Sequence, residues 1–201
     1  MKAEVKGLPK RYFEYGFKDM IANKDNSEFI KIAKEQISLP PKSIVFCGGV
    51  GNGKTRLAVS IMRNHKPVES ETIVSREYDQ RGTEIKKAKI IRPCRSIFII
   101  SDEYFQHCNE AVSTYQSKMN YINDLLSYDI CCIDDLGIEN FSGAKQENLY
   151  LLINRAYTDE RCIYLTTNFG LEELEKIDPR ITDRLREMAL ILKFEGKSFR
   201  D

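Results

Sequence analysis

Apolar residues in this chain gather in two alternating patterns, short unbroken runs and stripes at helical spacing. The runs are 43–47 (SIVFC), 97–100 (IFII), 130–133 (ICCI), 162–165 (CIYL) and 189–194 (ALILKF), each of the kind that fills a strand buried on both faces. The stripes fall between them. Phe29, Ile30 and Ala33 share one side of a predicted helix over 28–36, which ends before Pro40-Pro41 because proline has no N–H to continue it. A second helix is predicted over 56–63. Ser101 is placed to cap a third, with Tyr104, Phe105, Cys108, Ala111, Val112 and Tyr115 on its apolar side. Met119, Ile122, Leu125 and Leu126 mark another, and Leu149, Leu152, Ile153, Ala156 and Tyr157 a helix over 145–157. This alternation predicts an α/β fold: a five-stranded parallel sheet with helices on both faces and its chemistry at the carboxyl ends of the strands.

One stretch breaks the rhythm. Residues 66–95 lose helical periodicity and become charged, and Thr72-Ile73-Val74 facing 88–91 across Gln80-Arg81-Gly82 predicts an inserted hairpin. The chain then reads as a leading segment and helix over 1–42, packed on a core over 43–201 that carries the insertion at 66–95. A length of 201 residues leaves room for one such domain. Apolar content of 42% and charged content of 30% are those of a water-facing globular protein. No run reaches the roughly 20 apolar residues of a membrane span, and the N-terminus has no secretory h-region, so no membrane contact and a cytoplasmic location are expected. Six cysteines without a C-x-x-C pair read as buried thiols in a reducing compartment. A net charge of +1 leaves the question of nucleic acid to local patches.

Candidate chemistry begins where the first strand meets its helix, at Gly48-Gly49-Val50-Gly51-Asn52-Gly53-Lys54-Thr55. Small residues let successive backbone N–H groups turn inward around a polyphosphate, and the helix behind them offers its positive end. Lys54 then reaches the β- and γ-phosphate oxygens, and Thr55 offers its hydroxyl to Mg²⁺. ATP or ADP with Mg²⁺ is the expected ligand, held by these residues and Arg56. The third run delivers Asp134 and Asp135 at its tip. Asp134 is placed to hold Mg²⁺ through water opposite Thr55, and Asp135 to polarise an attacking water. Asn168, after Thr166 and Thr167, can orient that water without bringing charge, although a turn former would occupy the same position.

These motifs resemble the AAA+ ATPases of the DnaC/IstB-like type, the bacterial and phage helicase loaders and transposase helpers. The resemblance runs from Leu8-Pro9-Lys10-Arg11-Tyr12 through GGVGNGKTRLA, the strand and helix around Ser101-Asp102, CCIDDLG, LTTN, DPRITDRL and the terminal FEGKSFR, leaving out the insertion. It implies an AAA+ P-loop NTPase core without a C-terminal lid domain. It further implies Asp134 and Asp135 as the Walker B pair, Asn168 as sensor 1, and an arginine finger in the box before the last strand. Arg184 matches the finger position best and Arg180 is second. An arginine from a neighbouring subunit neutralises charge on the transferring phosphoryl group, so the resemblance also implies a homo-oligomer with nucleotide at its subunit interfaces and weak hydrolysis by the monomer. Asp135 stands where many AAA+ enzymes carry Glu, a shorter reach that suits slow turnover. The extra N-terminal domain by which loaders grip the helicase is not expected here.

Nucleic-acid binding, to single-stranded DNA first and duplex second, is implied by the same resemblance. Arg81, Lys86, Lys87, Lys89, Arg92 and Arg95 stand against one acid, Glu84, and form a candidate phosphate-binding patch. Tyr115 and Tyr121 flank Lys118 and are candidates for stacking on bases. Tyr12, Tyr15 and Phe17 are candidates for the adenine. Three functions remain open: a loader that assembles on single-stranded DNA for a replicative helicase, a transposition helper that binds duplex DNA for a transposase, and a nucleotide-gated module that binds a partner with little turnover.

Overall fold

The computed structural model describes residues 3–20, 26–79, 82–110, 115–137, 141 and 143–194, with backbone alone at 19, 73–79, 82–86 and 115. In chain order the elements are β1 (Glu4–Lys6), α1 (Ser27–Gln36), β2 (Ser43–Gly48), α2 (Lys54–Asn64), β3 (Val68–Asp79), β4 (Gly82–Arg92), β5 (Arg95–Ile100) and α3 (Ser101–Glu110). They continue as α4 (Tyr115–Leu125), β6 (Ile130–Leu136), α5 (Gly143–Thr158), β7 (Ile163–Thr167), α6 (Leu171–Ile177), α7 (Pro179–Met188) and β8 (Ala189–Phe194).

The five apolar runs are β2, β5, β6, β7 and β8. They form one sheet in the order β1-β5-β6-β7-β2-β8, with every pairing parallel. The sixth strand, β1, adds an edge by pairing Glu4 with Arg95 and Lys6 with Ile97. Three residues are too few to show an alternating pattern, which is why it was not predicted.

Alternate residues of each strand feed two separate cores. Ile44, Phe46, Phe98 and Tyr164 pack against Leu57, Ile61 and Met62 of α2 and Ile30 and Ala33 of α1. Val45, Ile99, Ile133 and Leu165 pack against Phe105, Leu149, Leu152, Ile153 and Leu185, which belong to α3, α5 and α7. Both faces are therefore covered, and unbroken apolar runs are what such strands require. All six cysteines are buried in these cores.

The insertion is an antiparallel pair, β3 with β4, in a sheet of its own. It is longer than the predicted hairpin and paired differently: Thr72 faces Ala88, but Ile73 faces Lys87, and Lys89, Ile90 and Ile91 face Glu71, Ser70 and Glu69. Gln80 and Arg81 of the turn, Ala111 and Val112 of the third predicted helix, and the terminal motif beyond Phe194 lie outside the described residues. Among the described residues no helical lid follows β8, and no helix is long and apolar enough to cross a membrane.

Candidate functional site

The carboxyl ends of β2, β6 and β7 open onto a cavity of about 550 Å³. Residues 50–56 form its floor, and Asp134, Asp135, Thr166 and Asn168 its far wall. Glycines shape the loop for a steric reason. Gly48 has φ +124°, and a Cβ there would run into the carbonyl oxygen of Phe194 on β8. Gly51 and Gly53 sit at φ +81° and +82°, in the region that disfavours side chains, and Gly53 hands the chain to α2. The start of α2 thus faces the cavity with its unpaired N–H groups, an arrangement suited to phosphate.

Lys54 is buried at 7% exposure, and its Nζ donates to the carbonyl oxygens of Gly48 and Gly49 at 2.6 Å each and to Asn168 Oδ1 at 2.9 Å. These bonds hold the ammonium across the mouth of the loop. A phosphate oxygen arriving there can exchange with these neutral acceptors.

The tip of β6 is less regular than its sequence implies. Its ladder with β7 shifts between Ile133 and Leu136, and Asp135 adopts φ +57°. The bulge turns adjacent carboxylates to different tasks. Asp134 is 3% exposed and accepts from Thr166 Oγ1 at 2.6 Å and from the Thr55 hydroxyl. Burial pushes its carboxyl above the usual range and neighbouring Asp135 adds to the rise, while the two hydroxyls oppose it. A buried carboxylate beside a threonine hydroxyl at the foot of a phosphate loop is a donor set that fits Mg²⁺, a cation that binds oxygen and keeps much of its water. Asp135 is exposed, and its Oδ1 accepts from Asn168 Nδ2 at 3.3 Å. Asn168 therefore bridges Lys54 and Asp135 through the two ends of one amide.

Two supports were not legible beforehand. Thr166 Oγ1 also accepts the Asp135 N–H at 2.8 Å, so one hydroxyl fixes both acids. Ser101 does not cap α3 as expected. It is the first residue of that helix, and its Oγ donates to the Asp135 carbonyl at 2.8 Å, pinning the left-handed residue from the other side. A hydroxyl at a strand end is a weak signal alone, but both follow directly on apolar runs.

Opposite the phosphate loop, the leading segment closes the cavity. Arg11, Tyr12, Tyr15, Met20, Phe29 and Phe194 line this side. The Arg56 guanidinium lies 5.1 Å from the Tyr15 ring, and Phe29 stacks on Phe194 at 4.5 Å. Of the three aromatic candidates for adenine, Tyr12 and Tyr15 reach the cavity, whereas Phe17 packs into the core beneath.

Arg180 and Arg184 do not line this cavity. They stand on α7, in the layer across the sheet from α2. The nucleic-acid candidates are more self-contained than their sequence implies. Lys87 pairs with Glu71 at 3.1 Å, Lys89 with Glu69 at 2.9 Å, and Arg92 with Asp129 at 2.6 Å. Arg95 lies 6.0 Å over the Tyr128 ring and donates to Ser127 O. The neutralising acids come from β3 and from the turn before β6, outside the run in which only Glu84 was counted. Arg81 and the side chain of Lys86 lie outside the described residues. Lys118 donates to Asn148 Oδ1 at 3.2 Å, and Tyr121 stacks on His107 at 5.4 Å, so both are already engaged with neighbouring helices. The Tyr115 side chain lies outside the described residues.

No family model matches the chain. The replicative helicase loader DnaC of Escherichia coli K12 is 25% identical over 145 residues, which are 72% of this chain and 50% of that protein. The chain thus spans half the length of the curated relative it matches. In structure it resembles the crystal structure of the DnaC helicase loader, with TM-score 0.68, 18% identity and coverage of 93% of this chain and 100% of that one. It also resembles the replication initiator DnaA solved with AMPPCP and single-stranded DNA, with TM-score 0.63, 20% identity and coverage of 92% and 50%. Sheet order, phosphate loop and paired acids agree with these likenesses in sequence and fold, and the chain resembles the DnaC-like AAA+ proteins.

Proposed function

We propose that this protein binds ATP with Mg²⁺, hydrolyses it slowly, and acts in DNA replication as a helicase-loader-like factor that assembles on single-stranded DNA. The observation that carries the reading is the convergence of Lys54, Thr55, Asp134, Asp135 and Asn168 on one cavity behind a glycine loop. Bound Mg²⁺ would draw charge from the β- and γ-phosphate oxygens. The remaining work falls to the chain. Backbone N–H groups of residues 49–54 cradle the phosphates, Lys54 exchanges its loop carbonyls for phosphate oxygens, and Thr55 and Asp134 supply the cation's oxygen ligands. Asp135 accepts a hydrogen bond from the attacking water, and Asn168 orients it. With Asp135 already bonded to Asn168, the base is held rather than free, which supports slow turnover.

The transferring phosphoryl group calls for an arginine at the γ-phosphate, and the arginines lining this copy's cavity, Arg11 and Arg56, stand on its leading-segment and loop sides. Neither Arg180 nor Arg184 lines it, which supports an arginine supplied by a second copy, and hence a homo-oligomer with nucleotide between subunits. Single-stranded DNA and a replicative helicase are proposed as partners because the relatives named above are a loader and an initiator, which favours these over a transposase and duplex DNA. The ion pairs that close the hairpin's basic run favour a second reading, a nucleotide-gated module that binds a partner protein and hardly turns over. ATP hydrolysis measured against protein concentration, with and without single-stranded and duplex DNA, separates them. A steep rise with concentration, strengthened by single strands, is the expected result. A flat, near-zero rate beside firm ATP binding would replace the loader with the gated module.

A further inference from the structure

Helices α5 and α7 lie side by side in register, so that positions thirty apart in sequence meet. Tyr150 meets Arg180, Asn154 meets Arg184, and Tyr157 donates to Glu187 at 2.8 Å. The two arginines share one aromatic ring and are otherwise treated differently. Arg180 lies 4.1 Å over Tyr150, and its Nε and Nη2 clasp Asp178 at 3.0 and 2.7 Å. Asp178 is 2% exposed and also accepts the Arg180 N–H at the start of α7. The charge of Arg180 is therefore answered within its own subunit.

Among the described residues Arg184 has no carboxylate partner. Its guanidinium lies 5.2 Å from the Tyr150 ring and 5.7 Å from that of Tyr157. Its Nε donates to Asn154 Oδ1 at 2.9 Å, Nη1 to the Arg180 carbonyl at 3.0 Å, and Nη2 to the Tyr150 hydroxyl at 3.4 Å. All three acceptors are neutral. One N–H remains on each Nη, since a guanidinium carries five. Two rings hold the cation by their faces, and one amide fixes its rotation. The outcome is a full positive charge, oriented and half-exposed, with two donors left for an outside anion.

We propose that Tyr150 and Asn154 are positioning residues that present the Arg184 guanidinium to the nucleotide bound by a second copy of this chain, while Arg180 is a structural partner of Asp178. This rests on the trans-arginine reading above. Arg184 is the catalytic residue, and Tyr150 and Asn154 act through it. Loss of a positioning contact that shifts a reacting group by about 1 Å costs on the order of 100-fold in rate, so their removal lowers kcat in the assembled state and leaves the subunit's own ATP affinity unchanged.

Mixed assemblies test this. An Asp135→Asn subunit retains Arg184 but lacks the basic oxygen, and an Arg184→Ala subunit retains Asp135 but lacks the arginine. Mixing the two is expected to raise hydrolysis well above the rate of either alone. Tyr150→Leu and, separately, Asn154→Ala are then placed in the Asp135→Asn donor, with Tyr150→Phe as the variant that keeps the ring. Both substitutions suit a half-buried helix surface. Restoration at least about tenfold weaker with the Leu and Ala donors, and within about twofold of the parent with the Phe donor, is the expected pattern. Equal restoration by all donors would overturn the positioning role and leave the trans-arginine reading standing. If mixing with the unmodified donor restores nothing, the trans-arginine reading falls and takes this proposal with it.

Discussion

The two ends of the sheet carry charge in opposite ways. At the amino ends of β5 and β6, Asp129 accepts from Arg92 Nη1 and Nη2 at 2.6 and 2.7 Å and from the Arg95 N–H at 2.7 Å. Burial alone would raise the Asp129 carboxyl, but the arginine fork and the backbone donor hold it below the usual range. The Arg92 guanidinium and the Arg95 N–H have both met a carboxylate, and the bracket ties the root of the β3–β4 hairpin to the body. At the carboxyl ends, Lys54 is held by two loop carbonyls and an amide, and Asp134 by two hydroxyls. Cation and carboxylate face one cavity, each bonded there to neutral groups. Closed charge builds structure, whereas charge held by neutral groups is ready for a ligand.

The strongest way to break this contrast is Lys54→Ala. It removes about two charge-assisted bonds to phosphate, on the order of 4 kcal/mol, so ATP affinity should fall about 1,000-fold in a calorimetric titration. Unchanged affinity would mean that the glycine loop is not the phosphate site. Asp135→Asn comes next. It keeps the shape of the side chain and its bond to Asn168 but removes the basic oxygen, so hydrolysis should drop about 100-fold with ATP affinity intact. Turnover at the parent rate would remove Asp135 from that role.

The open end was the more legible of the two. Its glycines and lysine are contiguous at 48–54 and its two acids adjacent at 134–135, because a strand followed by a loop delivers neighbours to one place. The parts that stayed hidden are those that depend on distance along the chain. Thr166 fixes both acids from a different strand, and Ser101 pins the Asp135 carbonyl from the start of α3. The closed end was misread for the same reason. Counting residues 81–95 gives six bases to one acid, yet Lys87 and Lys89 find Glu71 and Glu69 on the opposite strand, and Arg92 finds Asp129 beyond two helices. Apolar periodicity located five strands because each buries both faces, while β1, three residues at an edge, leaves no such trace.

If the two ends are independent, damage to the closed one should spare the open one. Asp129→Ala leaves the half-buried Arg92 and the Arg95 N–H without their acceptor. A loss of about 2 kcal/mol in denaturant unfolding is expected, with ATP affinity unchanged. A fall in ATP affinity would show that the hairpin root and the nucleotide cavity are coupled through β5 and β6.

The smallest effect sharpens the rule by placing a closed pair near the open end. Helix α7 starts beyond the carboxyl end of β7 and finishes where β8 begins, so Asp178 and Arg180 lie toward the cavity end. The Arg180 fork, helped by its backbone N–H and by Gln146, brings the Asp178 carboxyl down to about 2. A carboxyl depressed on folding stabilises the native state above its unfolded value near 3.8 and loses that contribution as pH falls through its folded value. The contribution should thus be complete above about pH 5 and disappear between about pH 4 and pH 2. It is small because the Arg180 side chain is 59% exposed and water screens the pair. Asp178→Asn keeps a side chain able to cap α7 but carries no charge, so it should flatten the acid limb of the stability profile while leaving ATP affinity at pH 7 unchanged. An acid limb identical to the parent's would mean that the pair stores no proton-linked stability, and that an exposed arginine beside a buried acid is not closed charge in the sense that holds at the hairpin root.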